Sequence, residues 1–208
     1  MRGAGAAIGS QQVAGATPFW AAPGCSAQGG CGFNRAEISV AYIASVIAGG
    51  QIAADDPRQP DVRGLLDRHL EFALAQTPPE HSFALDAAGL LDPAVTLFSF
   101  RAGGSLLGIG AIKRLDAQHA EIKSMHIAEA ARGRGIGTAM LAHLLGVARA
   151  RGFCRVSLET GTTAAFASAR ALYQRAGFIL CGPFAGYQPT EDNLFMTLEL
   201  GAVQAANG

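Results

Sequence analysis

Charge bias, metal-type cysteine spacing and long apolar runs are all missing from this 208-residue chain. Lys plus Arg and Asp plus Glu each number 16. That neutral balance offers no argument for nucleic acid or an anionic membrane surface as partner. The four cysteines, Cys25, Cys31, Cys154 and Cys181, form no CxxC pair and no Cys/His cluster at zinc spacing, so no metal is expected. Cys154 and Cys181 sit beside apolar runs and read as small core residues. No stretch approaches the roughly 20 apolar residues of a membrane span. The N-terminus has Arg2 but no compact apolar h-region, which argues against a secretory signal. The expected setting is a reducing cytoplasm.

What is present is apolar material: half of the residues are hydrophobic, enough for a real core. The length suits one domain with an extra segment. Residues 1–40 are rich in Gly, Ala, Ser and Gln and show no period. They read as a disordered extension or an upstream mis-assigned start, with the domain expected over 41–203. Within it, Ala44–Ala53 is a strand candidate damaged by Gly49 and Gly50. Val62, Leu65, Leu66, His69, Leu70, Ala73 and Leu74 recur at helical spacing behind Pro60, so a helix is predicted over Pro60–Ala75 and stopped by Pro78-Pro79. Glu80–Asp92 reads as a short helical or loop region.

The period then changes. Val95–Arg101, Leu106–Leu115 and Ala120–Ile127 read as three antiparallel strands joined by turns. Ile136, Met140, Leu144 and Val147 make a helical stripe closed by Gly152. Arg155–Glu159 is a strand, Phe166–Ala176 a helix stopped by Gly177, and Phe178–Leu180 and Leu194–Leu200 the closing strands. This order predicts an α/β (α+β) fold, a mixed sheet with helices on both faces.

The strand ending at Ile127 is followed by Arg132-Gly133-Arg134-Gly135-Ile136-Gly137 and a helix. Alternating glycines let backbone turn tightly and approach a ligand. The helix start presents unpaired N–H groups with partial positive charge, a phosphate site in waiting. The bare alternative is a tight strand-to-helix turn with solvated arginines. The loop lacks the Lys-Ser/Thr of a P-loop and is not GxGxxG.

Met125-His-Ile-Ala-Glu-Ala-Ala-Arg132-Gly-Arg-Gly135-Ile-Gly137 resembles the signature of the GNAT acetyltransferases, and Ala171-Leu-Tyr173-Gln-Arg-Ala-Gly177-Phe178 resembles that family's second signature. One helix and one strand separate the two, and the resemblance covers roughly Ile52 to Leu200. It implies a mostly antiparallel sheet whose two central strands, Glu121–Ile127 and Arg155–Glu159, splay apart to admit a pantetheine arm. Met125, His126 and Ile127 would then pair with pantetheine as an added strand. Arg132, Gly133, Arg134, Gly135, Ile136, Gly137 and Thr138 would hold the pyrophosphate.

The resemblance also implies acetyl-CoA as co-substrate and Tyr173 as the acid near the departing thiolate. A neutral amine is needed for attack, so a base is needed too. Glu121 is the first candidate, at a position where family members carry a catalytic glutamate; Glu159 is the second and the His126 side chain a weaker third. The family's Asn seven residues before the tyrosine is here Phe166, and its frequent Pro is Glu129. Lys113, Arg114 and Lys123 offer a cationic spot for a substrate carboxylate, or merely exposed strand ends. His81 reads as a loop histidine or a pocket residue, and Tyr187 as part of a lid over the acceptor. His69 and His143 read as packed or solvated helix residues. The expected reaction is direct acetyl transfer to a primary amine, of a small molecule for preference, with homodimerisation left open. The alternatives are acetylation of protein N-terminal or lysine amines and a non-catalytic CoA sensor.

Overall fold

The computed structural model describes residues 49–78 and 88–201. The proposed extension over 1–40, the start of the Ala44–Ala53 strand and His81 lie outside the described residues. Seven strands form one mixed sheet: β1 (Gly50–Ala54), β2 (Val95–Ala102), β3 (Ser105–Arg114), β4 (His119–Ile127), β5 (Arg155–Gly161), β6 (Ile179–Cys181) and β7 (Asn193–Glu199). Their order across the sheet is β1-β2-β3-β4-β5-β7-β6. Every adjacent pair is antiparallel except β4 and β5. The helices are α1 (Pro60–Gln76), α2 (Ile136–Ala150) and α3 (Ala167–Arg175).

Alternation along the strands separates two cores. Leu97, Ile109 and Ala111 pack with Val62, Leu65 and Leu66 of α1. Phe98, Phe100, Ile112 and Ile122 pack with Met140, Leu141 and Leu144 of α2 and Tyr173 of α3. Successive strand residues point to opposite faces, so α1 covers one face and α2 and α3 the other. Burial on both faces explains the unbroken buried run Leu97–Phe100 in β2. Ile179 and Leu180, on edge strand β6, are instead 67% and 63% exposed.

Gly50 does not break β1. It pairs with Ala102, and a Cβ there would stand 2.5 Å from the Phe100 ring, so glycine is what lets the ring lie across the strand. The α3 region starts with a 3-10 turn, Ala164–Phe166, and becomes α-helical only at Ala167. Of the Glu80–Asp92 region, the described part holds a 3-10 turn at Gly89–Leu91. Arg101 of β2 anchors α1 by bridging Asp55 and Asp61, the latter in the helix's first turn where a carboxylate favours the macrodipole.

Two irregularities shape the centre. Between Ile109 and Ala111 of β3 the register slips against β4, so Gly110 alone faces Ser124 and Met125. This is a β-bulge, and bulges bend a strand and increase its twist. The second irregularity is that β4 and β5 pair only at His119↔Arg155, Ala120↔Val156 and Glu121↔Ser157. Beyond Glu121 they part, so the anticipated splay is present.

Gly110 faces Leu144, Met140 and Met125 at 3.1–3.2 Å from where a Cβ would lie. Gly110→Val should therefore overpack the bulge and cost about 1–3 kcal/mol of stability. Urea denaturation measures this, and an unchanged midpoint would show that the bulge has room to spare.

Candidate active site

The parting of β4 and β5 opens a cleft of about 590 Å³. Of the residues singled out in the sequence, Glu121, Met125, His126, Ile127, Arg132, Gly133, Gly135, Ile136, Gly137, Thr138, Glu159 and Tyr173 all line it. Arg134 does not; it is exposed beside the loop. Lys113 and Arg114 also lie away from it, Lys113 pairing with Asp92 at 3.8 Å. Of the imagined cationic spot, only Lys123 faces the cleft.

The glycine loop closes one end. Gly133 and Gly135 take φ of +73° and +79°, a region that suits glycine. Gly135 is the N-cap of α2, and no side chain caps that end. The first intrahelical bond runs from the Ala139 N–H to the Gly135 carbonyl, at 3.1 Å. The N–H groups of the first turn are therefore free to meet an anion. The Arg132 Nε donates to the Ile127 carbonyl at 3.3 Å, which folds this side chain against the end of β4. Gly137 keeps space beside Leu172 and Ile127, a Cβ there meeting them at 3.5 and 3.7 Å.

Tyr173 reaches the cleft from α3. It is buried, and its hydroxyl lies 4.0 Å from Met125 Sδ. Burial, with the Glu159 charge adding to it, pushes its pKa up to about 12, so the phenol stays protonated at neutral pH.

The two carboxylates differ sharply in environment. Glu121 is 2% exposed and fully engaged. The Lys123 ammonium donates to it at 3.0 Å, and the Tyr187 hydroxyl donates to the same oxygen. Lys123 also donates to the Tyr187 oxygen, so the three side chains close into a triangle. Tyr187, carried on the β6–β7 connection and packed on Phe184 and Phe195, is thereby fastened to the wall of the cleft. Burial and then Glu121 raise its pKa. Glu159 carries no such ties: no hydrogen bond or ion pair among the described residues holds its carboxylate. Burial pushes its pKa up to about 7, with Lys123 acting the other way and Glu121 reinforcing the rise.

The far wall comes from α1. His69 and Phe72 pack edge-on against His126, with ring centroids 5.4 and 6.3 Å away. Phe72 also meets Phe166 at 5.2 Å. Phe166, standing where the family's asparagine was expected, covers Gly161 so closely that any Cβ there would collide with its ring. Arg170 fixes this turn by donating to the carbonyls of Gly161 and Thr163, each at 2.8 Å. His69, Phe72 and Ser124 were not singled out as site residues from sequence. His69 shares a stripe with core residues of α1, and only the tertiary approach of α1 to β4 brings it to the cleft.

A splayed parallel pair, an uncapped helix start at one end, and a protonated phenol beside an unpaired carboxylate give the cleft groups that suit acyl transfer. The family model described as "Acetyltransferase (GNAT) family" matches residues 62–178, and the chain belongs to that family. It is 44% identical over 149 residues to the uncharacterized N-acetyltransferase YedL of Escherichia coli K12, covering 72% of this chain and 94% of that protein. It is 40% identical over 149 residues to the uncharacterized N-acetyltransferase YsnE of Bacillus subtilis 168, covering 72% and 99%. A solved Klebsiella pneumoniae structure, assigned provisionally as an acyl-CoA N-acyltransferase, superposes with a TM-score of 0.62 at 28% identity, covering 73% of this chain and 98% of the other. The chain is an N-acetyltransferase enzyme, as its sequence led one to expect. Among the described residues no helix is long and apolar enough to cross a membrane.

The site's ionisation leaves a mark on stability. A carboxyl whose pKa rises on folding, as for Glu159, loses stability as pH rises from its unfolded value near 4.3 to about 7. His69 and His126, pushed down to about 4 chiefly by burial, act oppositely and gain stability as pH rises from about 4 to their unfolded value near 6.5. Glu159→Gln removes the opposing contribution, so its stability should rise more steeply than the parent's between about pH 4.5 and 6.5. Urea midpoints across that range test this; parallel curves would mean that Glu159 ionises as in water.

Proposed function

We propose that the chain transfers the acetyl group of acetyl-CoA to a primary amine of a small molecule by direct attack within the β4–β5 cleft. The observation that carries this reading is the end of β4–β5 pairing at Glu121, which leaves the edges of Met125, His126 and Ile127 facing an open gap. An extended pantetheine fits that gap as a strand would. The free amides of Gly135 through Thr138, with Arg132 beside them, suit its pyrophosphate.

In this mechanism Glu159 is the base. Its pKa of about 7 matches the operating pH, which is where a general base works best. It takes a proton from the acceptor ammonium, directly or through one water. The amine nitrogen then attacks the acetyl carbonyl carbon, and the carbon–sulfur bond breaks. Tyr173 donates its phenolic proton to the departing sulfur; the nitrogen sheds its second proton as the amide forms, which reprotonates Tyr173 directly or through water, and Glu159 returns its own proton to solvent. Glu121, tied to Lys123 and Tyr187, keeps this wall in shape. That reverses the order of preference drawn from the sequence, because a carboxylate already accepting two hydrogen bonds is a poorer proton acceptor than an unpaired one. A protein acceptor is the competing reading, and an amine panel that includes peptides separates the two. Free thiols at Cys154 and Cys181 agree with a cytoplasmic enzyme.

Tyr173→Phe should lower kcat by roughly 10²–10⁴-fold with the acetyl-CoA KM little changed. Thiol release with an amine panel reads this, and undiminished turnover would remove Tyr173 from the chemistry. Glu159→Gln should abolish the rise of kcat/KM with pH through about 7, whereas Glu121→Gln should retain it. Gly135→Val places a β-branched residue at positive φ and crowds the anion site, so acetyl-CoA affinity measured by calorimetry should fall. Unchanged affinity would place the pyrophosphate elsewhere.

A further inference from the structure

Of four buried side-chain polar atoms without partners among the described residues, two belong to residues that line the cleft and two, on His143 and Thr163, do not. His69 Nδ1 and Ser124 Oγ are buried and make no hydrogen bond among the described residues. Both residues line the cleft, as does His126, whose ring meets the edges of His69 and Phe72. A buried polar group with no partner destabilises the fold and calls for an explanation. Ser124 is also held at a φ of +52° on the bulge, and strained backbone of this kind clusters where ligands bind.

Cations act on both histidines, Lys123 among them although it is paired with Glu121. Lys123 acts on His69, and Arg68 and Arg132 act on His126, each disfavouring a further positive charge there. A metal cation would meet the same repulsion. The acidic side chains of the cleft, Glu121 and Glu159, lie along the stretch where β4 and β5 diverge. The cleft thus offers an amine a carboxylate in one place and an anion unpaired donors in another.

We propose that His69, Ser124 and His126 form a carboxylate subsite, and that the acceptor is a small molecule bearing both an amine and a carboxylate. This rests on the acetyl-transfer reading above. The acceptor's amine faces Glu159, while its carboxylate accepts hydrogen bonds from the Ser124 hydroxyl and the imidazole N–H groups. The bound molecule supplies the partners that the folded chain lacks.

The test uses the full chain, acetyl-CoA and thiol release. The probes are glycine, β-alanine, 4-aminobutyrate, L-leucine and L-phenylalanine, each beside its carboxamide and its decarboxylated amine. At least one acid should exceed both of its matched analogues by roughly tenfold or more in kcat/KM, the scale on which an unpaired polar site rejects an analogue. Ser124→Gly and His69→Leu should each erase most of that preference through the acceptor KM, with the acetyl-CoA KM unchanged. Both variants should unfold at or above the parent's temperature, because neither removes a hydrogen bond made among the described residues. Equal use of acids and amides, faster acetylation of acidic peptides, or a preference surviving both substitutions would overturn the subsite while leaving acetyl transfer intact. Absence of thiol release with every amine would overturn the acetyl-transfer reading, and the subsite with it.

Discussion

Three residue pairs hold β4 to β5, and the loss of the fourth is what the molecule is built around. A parallel strand pair this well buried would ordinarily continue its ladder, because an unpaired backbone group away from water is costly. Here β4 is bent by a bulge, with Gly110 opposite two residues. The strands diverge before the ladder can continue. The backbone edges left behind border the cleft, and the helix that follows β4 starts at the same opening.

Both sides of the sheet contribute to what surrounds the gap. Tyr173 arrives from the face packed by α2 and α3, within the larger core. His69 and Phe72 arrive from α1 on the opposite face. The β6–β7 connection adds Tyr187, whose hydroxyl links to Glu121 and Lys123. The difference between Glu121 and Glu159 follows from this: two carboxylates border one cleft, and the tie to Tyr187 leaves one occupied and the other unpaired. Neighbouring acids in contrasting surroundings are how a site separates a structural group from a proton acceptor.

Much of the architecture was legible in the sequence because strand alternation and helical stripes are local signals. The meander, the α2 stripe through Met140 and Leu144, and the glycine loop needed nothing beyond their own neighbours. The start of β1 at Gly50 was hidden, since a glycine reads as a breaker until the Phe100 ring that needs the space is seen. The residues around the cleft followed where a motif named them. The relative standing of Glu121 and Glu159 was not legible, because it depends on Lys123 and Tyr187, the latter 66 residues from Glu121. Ser124 carries no sequence mark of its left-handed backbone, and His69 reads as one more packed residue on the apolar stripe of α1.

The disposition of the helices has a practical corollary. Side chains from α1 border the cleft without belonging to the loop at the start of α2, which is carried on the opposite layer. A combinatorial library restricted to the inward stripe of α1, at positions such as Phe72 and Ala73, can therefore remodel one wall of the cleft while the glycine turn is left as nature wrote it.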